Sequence, residues 1–505
     1  MQFDSPIFLP FLIAVFTVYY LAPKTFRTTV LLAASIFFYA ALNVPRLILS
    51  LAWVIVISYF AGRWIRTLTS ESAKKAVYWA GVLLNLAALV FCRYLPFLGN
   101  QLNVLLRLFS FPGVIHVPEP MISIGVSFYV FQAISYMTDI YLGTQEPEIP
   151  FINFALYIGF FPKLLQGPIE RAGSLIPQLH QNIEFKYESG RAALLLFAWG
   201  LFKKVVIADR LALFVNPVFD RVHFLGAHEG VSFAWATLFY SLQIYCDFSG
   251  YTDMAIGIAG LFNLRLTNNF DRPYLATNTA EFWRKWHITF SSWIFDYIFK
   301  PLQMKWRRLK VYGNVMALMV TFLVSGIWHG ASWGFIVWGL LHGIYLSVHL
   351  LLAPLKKKAY RLINLKKSRI LATGQTAVTF CLVSLAWIFF RANSLKDAWY
   401  ILRNFLNGWP SYFSLFASGF MRPGRWRMLF ESVWGSDQSF KEFVILWPFL
   451  AVFFALELTS NFKNMKLRAI FEKNRIFRWC VYLALITAIF VFGVPERQKF
   501  IYFQF

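Results

Sequence analysis

Apolar stretches recur along the whole chain and are separated by short polar or basic segments. The candidate membrane-spanning stretches lie near 7–22, 28–42, 47–62, 76–91, 121–142, 151–165, 192–208, 232–246, 251–264, 311–327, 332–353, 370–390, 443–460 and 478–493. A full crossing needs roughly 20 apolar residues, and several stretches are shorter. Segment 160–171 holds two prolines and one glycine, which predicts a broken or re-entrant helix. The pattern predicts an all-α, polytopic membrane protein with roughly 10–14 membrane helices.

The first apolar run, 7–22, is followed rather than preceded by basic residues. Asp4 comes before it, and Lys24 and Arg27 come after it. A cleaved signal peptide carries its basic residues before the apolar core. We therefore expect an uncleaved membrane helix whose N-terminus lies outside the cell.

Three basic segments predict the orientation of the second half of the chain. Residues 300–310 contain five Lys or Arg and no acid, residues 354–369 contain seven and no acid, and residues 461–478 contain six and one Glu. Such segments remain in the cytoplasm. The mixed segment 392–442 is then expected to form an extracytoplasmic loop or small cap, and the aromatic tail 500–505 also falls outside.

This orientation makes 311–327 and 332–353 a hairpin with His329 at its outer end. About 17 helical residues rise roughly 25 Å. His329 is therefore expected between the middle of the membrane and its outer boundary.

The composition supports a membrane protein and excludes other classes. Hydrophobic residues make up 58% and charged residues 14% of the 505 residues, against about 45–50% and 25% in soluble domains. Such a chain has too little polar surface for a soluble domain or for intrinsic disorder. The net charge of +24 is read as attraction to anionic membrane lipids and to a phosphate-rich cosubstrate, not as nucleic-acid binding.

No soluble domain or internal repeat is evident. We expect one integral-membrane domain over 1–505, with N-terminal helices in 1–150, a motif-bearing core in 151–353 and C-terminal helices in 354–505. The four cysteines lie far apart and no HExxH motif is present, so no metal site is expected. The absence of P-loop, GxGxxG and GxSxG motifs argues against an ATPase, a dinucleotide enzyme and an α/β-hydrolase.

His329 is the residue that most strongly indicates chemistry. It lies in an apolar turn between Trp328 and Gly330. The ordinary pKa of histidine, near 6.5, suits a general base, and ionisable residues inside membranes are candidates for function. The alternative is a packed histidine hydrogen-bonded to a backbone carbonyl, and the spacing alone leaves both interpretations open.

Segment 278–297 is predicted to form one amphipathic helix. Asn278 followed by Glu281 is typical of a helix N-terminus with a capping box. The residues at three- and four-residue spacing that would share its aromatic face are Trp283, Trp286, His287, Phe290, Ile294 and Tyr297. A helix lying in the headgroup region explains this pattern but leaves His287 without a polar partner.

Asp247, Tyr251 and Asp253 place polar groups within otherwise apolar sequence. Burying an unpaired carboxylate costs at least about 2.5 kcal/mol, so each must meet a partner or water. A structural salt bridge, for example to Arg265 or Arg284, and a supporting role in catalysis are both compatible with the spacing.

Together these motifs resemble the membrane-bound O-acyltransferase (MBOAT) family. The segments that carry the resemblance are FPKLLQGPI at 161–169, YCDFSGYTDMAIG at 245–257, NFDRPY at 269–274, EFWRKWHI at 281–288 and GIWHG at 326–330. The chain is similar in particular to the bacterial branch that contains the membrane subunits of alginate and peptidoglycan O-acetylation. The resemblance extends over almost the whole chain, including the aromatic tail.

The resemblance implies a ring of helices around a tunnel through a bacterial inner membrane. It implies acetyl-coenzyme A as cytoplasmic cosubstrate, with no cofactor permanently bound, and an acetyl group passed outward to an extracytoplasmic polysaccharide, with an alginate-like exopolysaccharide favoured. The implied protein partner is an extracytoplasmic SGNH-type acetyltransferase.

The resemblance also implies that His329 and His287 are the catalytic residues. A thioester is already activated, so a base and a dry channel suffice for acyl transfer. We expect His329 to be the general base, His287 to orient or polarise a substrate, and Asp247 or Asp253 to hold an imidazole in its tautomer. The residues expected to bind substrate or support the site are Asp247, Tyr251, Asp253, Trp283 and Trp328.

Three other functions fit parts of the sequence. A transporter or flippase uses broken helices and buried charges, although no inverted repeat is evident. D-alanyl transfer in teichoic-acid modification shares the core motifs. A structural scaffold would tolerate replacement of both His329 and His287.

Overall fold

The computed structural model describes residues 1–111, 115–117, 123–146, 149–180, 184–225, 228–362, 369–419, 425–459, 474–495 and 498–503. Within these ranges the regular structure is helical and no β-strand is found. The prediction of an all-α protein is confirmed.

The helices follow one another along the chain with short connections. The N-terminal helices are α1 (Phe8–Leu21), α2 (Arg27–Ala40), α3 (Pro45–Thr67), α4 (Glu71–Leu89), α5 (Leu95–Leu108) and α6 (Val126–Tyr141). The central helices are α7 (Phe151–Gly159), α8 (Phe161–Leu164), α9 (Ala172–Leu179), α10 (Tyr187–Phe202), α11 (Asp209–Asp220), α12 (Glu229–Leu261), α13 (Thr279–Lys285), α14 (Ile288–Ile294), α15 (Lys300–Lys305), α16 (Lys310–His329) and α17 (Trp333–Leu362). The C-terminal helices are α18 (Arg369–Arg391), α19 (Leu395–Asn404), α20 (Trp409–Gly419), α21 (Arg425–Trp434), α22 (Phe440–Thr459) and α23 (Arg475–Phe492).

Six helical segments of the described chain are long and apolar enough to cross a membrane. They are Pro45–Thr67, Glu71–Leu108, Arg307–His329, Trp333–Lys358, Arg369–Arg391 and Arg475–Phe492. Large apolar side chains such as Leu21 and Phe490 remain exposed on the outside of the molecule. Lipid covers such surfaces in a membrane protein, so the chain is integral to a membrane.

The helix α12 corrects the predicted boundary between 232–246 and 251–264. These two stretches form one helix of 33 residues, and Asp247 and Asp253 lie within it. A helix satisfies its own backbone groups, so polar side chains need not interrupt it once neighbouring helices supply their partners. The helix α10 approaches it closely, since a Cβ added at Gly200 would lie 2.5 Å from the Gly250 carbonyl oxygen.

The prediction of one helix over 278–297 is also wrong. The chain forms α13 and α14 instead, with extended backbone at Trp286 and a left-handed conformation at His287 (φ 43°). The N-terminus was predicted correctly, since the Asn278 side chain accepts a hydrogen bond from the Glu281 N–H at 2.9 Å. The break is stabilised by tertiary contacts, among them the Ile288 N–H donating to the Asn269 carbonyl at 2.9 Å.

Two other predicted features are present. The helix α7 ends at Gly159 and the chain continues through the four-residue α8 into an irregular turn, which confirms the broken helix in 160–171. The helices α16 and α17 form the predicted hairpin, with His329 as the last residue of α16.

Most of the described residues of segment 392–442 are helical. The segment forms α19, α20 and α21, which cover the N-terminal end of α12. The Tyr400 hydroxyl donates to the Glu229 carboxylate at 3.0 Å. The segment is therefore a small helical cap rather than a loop.

Candidate active site

The C-terminal end of α16 is held by two consecutive residues from a π-helical turn, Val90–Tyr94, between α4 and α5. The Arg93 guanidinium donates to the Trp328 carbonyl at 3.2 Å and to the His329 carbonyl. The Tyr94 hydroxyl donates to the Ile327 carbonyl at 2.5 Å. A helix leaves its last carbonyls unpaired, and a cation there also complements the helix dipole. The backbone that carries His329 is thereby fixed.

The His329 ring is only 2% exposed and is surrounded by aromatic rings. The rings in contact with it, at centre-to-centre distances of 4.7 to 5.7 Å, belong to Phe290, Trp328, Trp338, Phe390 and Tyr502. Among the described residues, neither ring nitrogen has a hydrogen-bond partner. The carbonyl partner expected of a purely structural histidine is thus not found in the described chain, and both nitrogens remain able to take part in chemistry.

His287 is fully buried and its tautomer follows from its neighbours. Its Nδ1 lies 3.3 Å from the Asn269 Oδ1. That oxygen also accepts the Thr289 backbone N–H at 3.2 Å, a group that can only donate, so the Asn269 atom is the acceptor. The Nδ1 of His287 therefore donates, and a neutral ring then has its lone pair on Nε2. This Nε2 has no partner in the described part of the chain, which leaves it free to accept a proton or a hydrogen bond.

The two imidazoles lie close together within one aromatic cluster. Three rings contact both of them: Phe290, Trp328 and Tyr502. The Trp328 ring centre lies 4.9 Å from that of His329 and 5.9 Å from that of His287. The break between α13 and α14 makes this possible, because it turns His287 away from the α13 surface and towards the end of α16.

Asp247 and Asp253 are paired with lysines, so the predicted partners Arg265 and Arg284 are wrong. Asp247 lies 2.8 Å from the Lys204 ammonium, and Asp253 lies 2.7 Å from that of Lys203. Both lysines lie in a second π-helical turn, Lys203–Ala208, which faces α12. These ion pairs could not be foreseen from the sequence, since both lysines lie within the apolar stretch 192–208.

The proposal that a carboxylate orients an imidazole is also corrected. In the described ranges, neither Asp247 nor Asp253 hydrogen-bonds to a histidine, and Asn269 takes that role for His287. The second oxygen of Asp247 accepts the Ile501 backbone N–H at 2.9 Å. Asp247 therefore contacts the C-terminal segment rather than the two imidazoles.

The C-terminal segment, residues 498–503, is inserted among the central helices. The Lys204 ammonium donates to the Gln498 carbonyl at 2.9 Å and lies 4.2 Å from the Phe500 ring centre. It also pairs with Asp209 at 2.8 Å. A buried ionic cluster of Lys204, Asp209 and Asp247 thus fixes the C-terminal segment inside the protein.

The C-terminal segment brings Tyr502 against both imidazoles. Its ring centre lies 5.7 Å from that of His329 and 6.5 Å from that of His287. Within the described chain it is the one hydroxyl-bearing ring that contacts either histidine, and its hydroxyl has no partner. Reasoning from the sequence missed Tyr502, although a short aromatic tail beyond the last apolar stretch was a usable signal.

The remaining predicted residues lie farther from the imidazoles. Tyr251 packs against Phe500 and Phe3, with ring centres 5.2 and 4.8 Å away, and so supports the C-terminal segment. The Trp283 indole donates to the Nδ1 of His342 at 3.2 Å. In the described part of the chain neither Tyr251 nor Trp283 contacts His329 or His287 by its ring.

No cluster of three or more His, Cys, Asp or Glu side chains that could hold a metal ion is found among the described residues. The candidate site consists of the two buried imidazoles of His287 and His329, the hydroxyl of Tyr502 and the surrounding aromatic rings. Such a site can move a proton and exclude water.

Comparison with known proteins identifies close similarities. The family model described as MBOAT, membrane-bound O-acyltransferase family, matches residues 144–395. The chain is 34% identical to a peptidoglycan O-acetyltransferase of Helicobacter pylori, over 94% of this chain and 91% of that protein. It is 34% identical to a probable alginate O-acetylase of Azotobacter vinelandii over 79% and 77% of the two chains, and 25% identical to a teichoic acid D-alanyltransferase of Bacillus subtilis over 62% and 77%.

Proposed function

This chain belongs to the membrane-bound O-acyltransferase family and is a membrane O-acyltransferase, and we propose that it uses cytoplasmic acetyl-coenzyme A to O-acetylate an extracytoplasmic polysaccharide. The observation that carries the proposal is the contact of the Tyr502 ring with both imidazoles. Within the described chain the Tyr502 hydroxyl, both nitrogens of His329 and the Nε2 of His287 have no hydrogen-bond partner. We place the protein in a bacterial inner membrane with its N-terminus outside.

The choice of acetyl donor rests on charge and on the named relatives. The basic segments 300–310 and 354–369 lack acidic residues and would attract the phosphates of coenzyme A to the cytoplasmic face. The relatives from Helicobacter pylori and Azotobacter vinelandii are named for O-acetyl transfer. A thioester also needs no further activation before acyl transfer.

We assign the general base to His329 and an orienting role to His287. The His287 ring lies against that of Tyr502 and orients the attacking hydroxyl, whose single proton faces His329. His329 removes the proton as the new bond to carbon forms. A positioned base of this kind accelerates acyl transfer by about 10²–10⁴-fold.

The immediate acceptor is the Tyr502 hydroxyl. Both imidazoles are buried, so a polysaccharide chain would have to displace packed aromatic rings to reach them, whereas Tyr502 is already in contact. The Tyr502 oxygen attacks the thioester carbon, the carbon–sulfur bond breaks, and the coenzyme A thiolate leaves and takes the proton from the His329 imidazolium. The products are an acetyl ester on Tyr502 and free coenzyme A.

The ester on Tyr502 is retained for a second transfer to a polysaccharide hydroxyl outside the membrane. An extracytoplasmic SGNH-type acetyltransferase would perform this step. Peptidoglycan and alginate are the polymers that appear in the names of the relatives from Helicobacter pylori and Azotobacter vinelandii. Our proposal extends to that class of polymer, with the alginate-like acceptor favoured.

The test compares wild type with His329→Ala in purified protein in lipid nanodiscs, with release of coenzyme A from acetyl-coenzyme A as the measurement. We expect His329→Ala to lower the rate by about 10²–10⁴-fold. The matched control is His223→Ala, because the His223 side chain is half exposed and contacts Asp397 on the surface. An unchanged rate in His329→Ala would refute the assignment of the base.

A further inference from the structure

An open groove lies between α3, α4 and the π-helical turn Val90–Tyr94. Side chains from all three elements line it, and its volume is about 340 Å³. The described residues along it are apolar except for Arg46 and Ser50. The Ser50 hydroxyl accepts a hydrogen bond from the Tyr129 hydroxyl at 3.0 Å, so it is already used within the protein. Apart from Arg46, the groove therefore offers apolar surface to a ligand.

Arg46 lies where the groove meets the membrane surface. It is in the first turn of α3, a helix long enough to cross the bilayer, and its side chain is exposed. The ends of such a helix lie at the level of the lipid headgroups. From Arg46 the groove reaches Trp53, about 10 Å farther along α3. A guanidinium at the headgroup level with an apolar groove below it matches the two parts of a phospholipid, a phosphate and an acyl chain.

The wall of the groove reaches the turn that holds the candidate active site. Phe91 and Cys92 line the groove, and Phe91 is 58% exposed. The next residue, Arg93, donates to the Trp328 carbonyl at 3.2 Å. A chain packed against Phe91 and Cys92 would therefore support the same turn that fixes the end of α16.

We propose that this groove binds an anionic phospholipid, with one acyl chain packed along it and the phosphate beside Arg46. The bound chain stabilises the π-helical turn Val90–Tyr94 from its lipid-facing side. Lipid tails surround a membrane protein on every side, so apolar contact alone selects no particular lipid. Arg46 supplies the selection, because a basic residue near the membrane surface attracts anionic headgroups.

The test measures lipid binding to the delipidated full-length protein in detergent. Native mass spectrometry follows the first bound lipid during titration with dioleoyl-phosphatidylglycerol, which is anionic, or dioleoyl-phosphatidylcholine, which has no net charge. We expect wild type to bind phosphatidylglycerol about fivefold more tightly, the effect of one basic residue at a membrane surface. Arg46→Gln should abolish this preference and keep the affinity for phosphatidylcholine. Ala87→Trp, which fills the groove, should weaken binding of both lipids at least about tenfold.

Two control variants change the same helices outside the groove. Arg66→Gln removes a guanidinium at the other end of α3, where Arg66 pairs with Glu146 at 3.6 Å. Ala80→Trp adds the same bulk at an exposed position of α4. Both variants should bind the two lipids as wild type does. If Ala87→Trp does not fold, the pair Arg46→Gln and Arg66→Gln decides alone.

Amide hydrogen exchange at 90–94 tests the effect on the turn. In nanodiscs of phosphatidylglycerol the exchange should be slower than in nanodiscs of phosphatidylcholine, and Ala87→Trp should show no difference between them. Equal affinity of wild type for the two lipids, a preference retained in Arg46→Gln, or wild-type binding by folded Ala87→Trp overturns the site. Equal exchange of wild type in both nanodiscs overturns the support of the turn.

Discussion

Arg93 fixes a histidine by its backbone rather than by its ring. The guanidinium pairs with the carbonyls of Trp328 and His329 and also donates to the Ser127 hydroxyl at 3.1 Å. Planar, charged donors make strong and directional hydrogen bonds to such groups. The His329 ring needs no partner of its own to be held in place, so its nitrogens stay available for chemistry.

Replacing Arg93 should therefore reduce catalysis without affecting binding of the donor. Arg93→Met removes the charge and leaves carbonyls at the end of α16 unpaired, at a cost of about 1–3 kcal/mol in stability. We expect kcat for coenzyme A release to fall at least about tenfold, a loss of about 1.4 kcal/mol in transition-state stabilisation, while the affinity for acetyl-coenzyme A is retained.

Kinetics and thermal unfolding of the same preparations check this expectation. Arg63→Met is the matched control, since Arg63 lies near one end of α3, where it donates to the Tyr59 hydroxyl and lies over the Tyr59 ring. Arg93→Lys should fall between wild type and Arg93→Met. Wild-type kcat in Arg93→Met would contradict the positioning role.

Single residues could be predicted from the sequence where their environment is local. His329 and His287 are conspicuous because an imidazole in apolar sequence demands an explanation. The partners of buried polar side chains are set by tertiary contacts, which the sequence does not report. For Asp247 and Asp253 the sequence suggested Arg265 or Arg284, whereas the structure pairs them with Lys204 and Lys203. The role of Asn269 could not be foreseen for the same reason.

At the scale of whole elements, the C-terminal segment is held in place by the buried ionic cluster of Lys204, Asp209 and Asp247. Lys204 joins the π-helical turn after α10 to Asp247 in α12, and both groups contact the backbone of the C-terminal segment. Removing one partner of a buried ion pair leaves an uncompensated charge and costs about 3–5 kcal/mol. The position of Tyr502 is thus coupled to a cluster that does not contact the imidazoles.

We expect Lys204→Met to release the C-terminal segment and to lower acetyl transfer. Amide hydrogen exchange at 498–503 should rise, and the rate of coenzyme A release should fall at least about tenfold. Asp247→Asn, which keeps an acceptor for the Ile501 N–H, should have a smaller effect.

The surface pair of Arg221 and Asp437 offers the control for this prediction. These side chains are 67% and 80% exposed and lie 3.8 Å apart. Exposed ion pairs contribute little, so Asp437→Asn should leave exchange and activity as in wild type. Protected exchange at 498–503 in Lys204→Met would show that the cluster does not hold the segment.

Elements were predictable where local rules decide their ends. The hairpin of α16 and α17 and the broken helix near 160–171 follow from apolar length and from proline and glycine. The continuity of α12 and the break between α13 and α14 depend instead on packing against neighbours, which hydrophobic periodicity does not report. Insertion of the C-terminal segment among α10, α11 and α12 is likewise a long-range event.

The whole molecule has an apolar exterior and charged groups in its interior, the reverse of a soluble protein. Apolar side chains such as Phe490 are exposed, whereas Lys204 and Asp209 are each 1% exposed. This arrangement suits a lipid surround and keeps bulk water away from the two buried imidazoles. Composition was sufficient to predict a membrane protein, because it requires only the proportions of hydrophobic and charged residues. It does not require knowledge of which residues are in contact.

In our account the acetyl group passes from coenzyme A directly to Tyr502 with His329 as the base, and a single-turnover labelling measurement tests this most directly. Purified protein is incubated with labelled acetyl-coenzyme A in the absence of polysaccharide, and the labelled peptide is identified by mass spectrometry. We predict an acetyl ester on Tyr502 in wild type and none in His329→Ala or Tyr502→Phe. Full labelling of His329→Ala, or wild-type acetyl transfer to polysaccharide by Tyr502→Phe, would contradict the account.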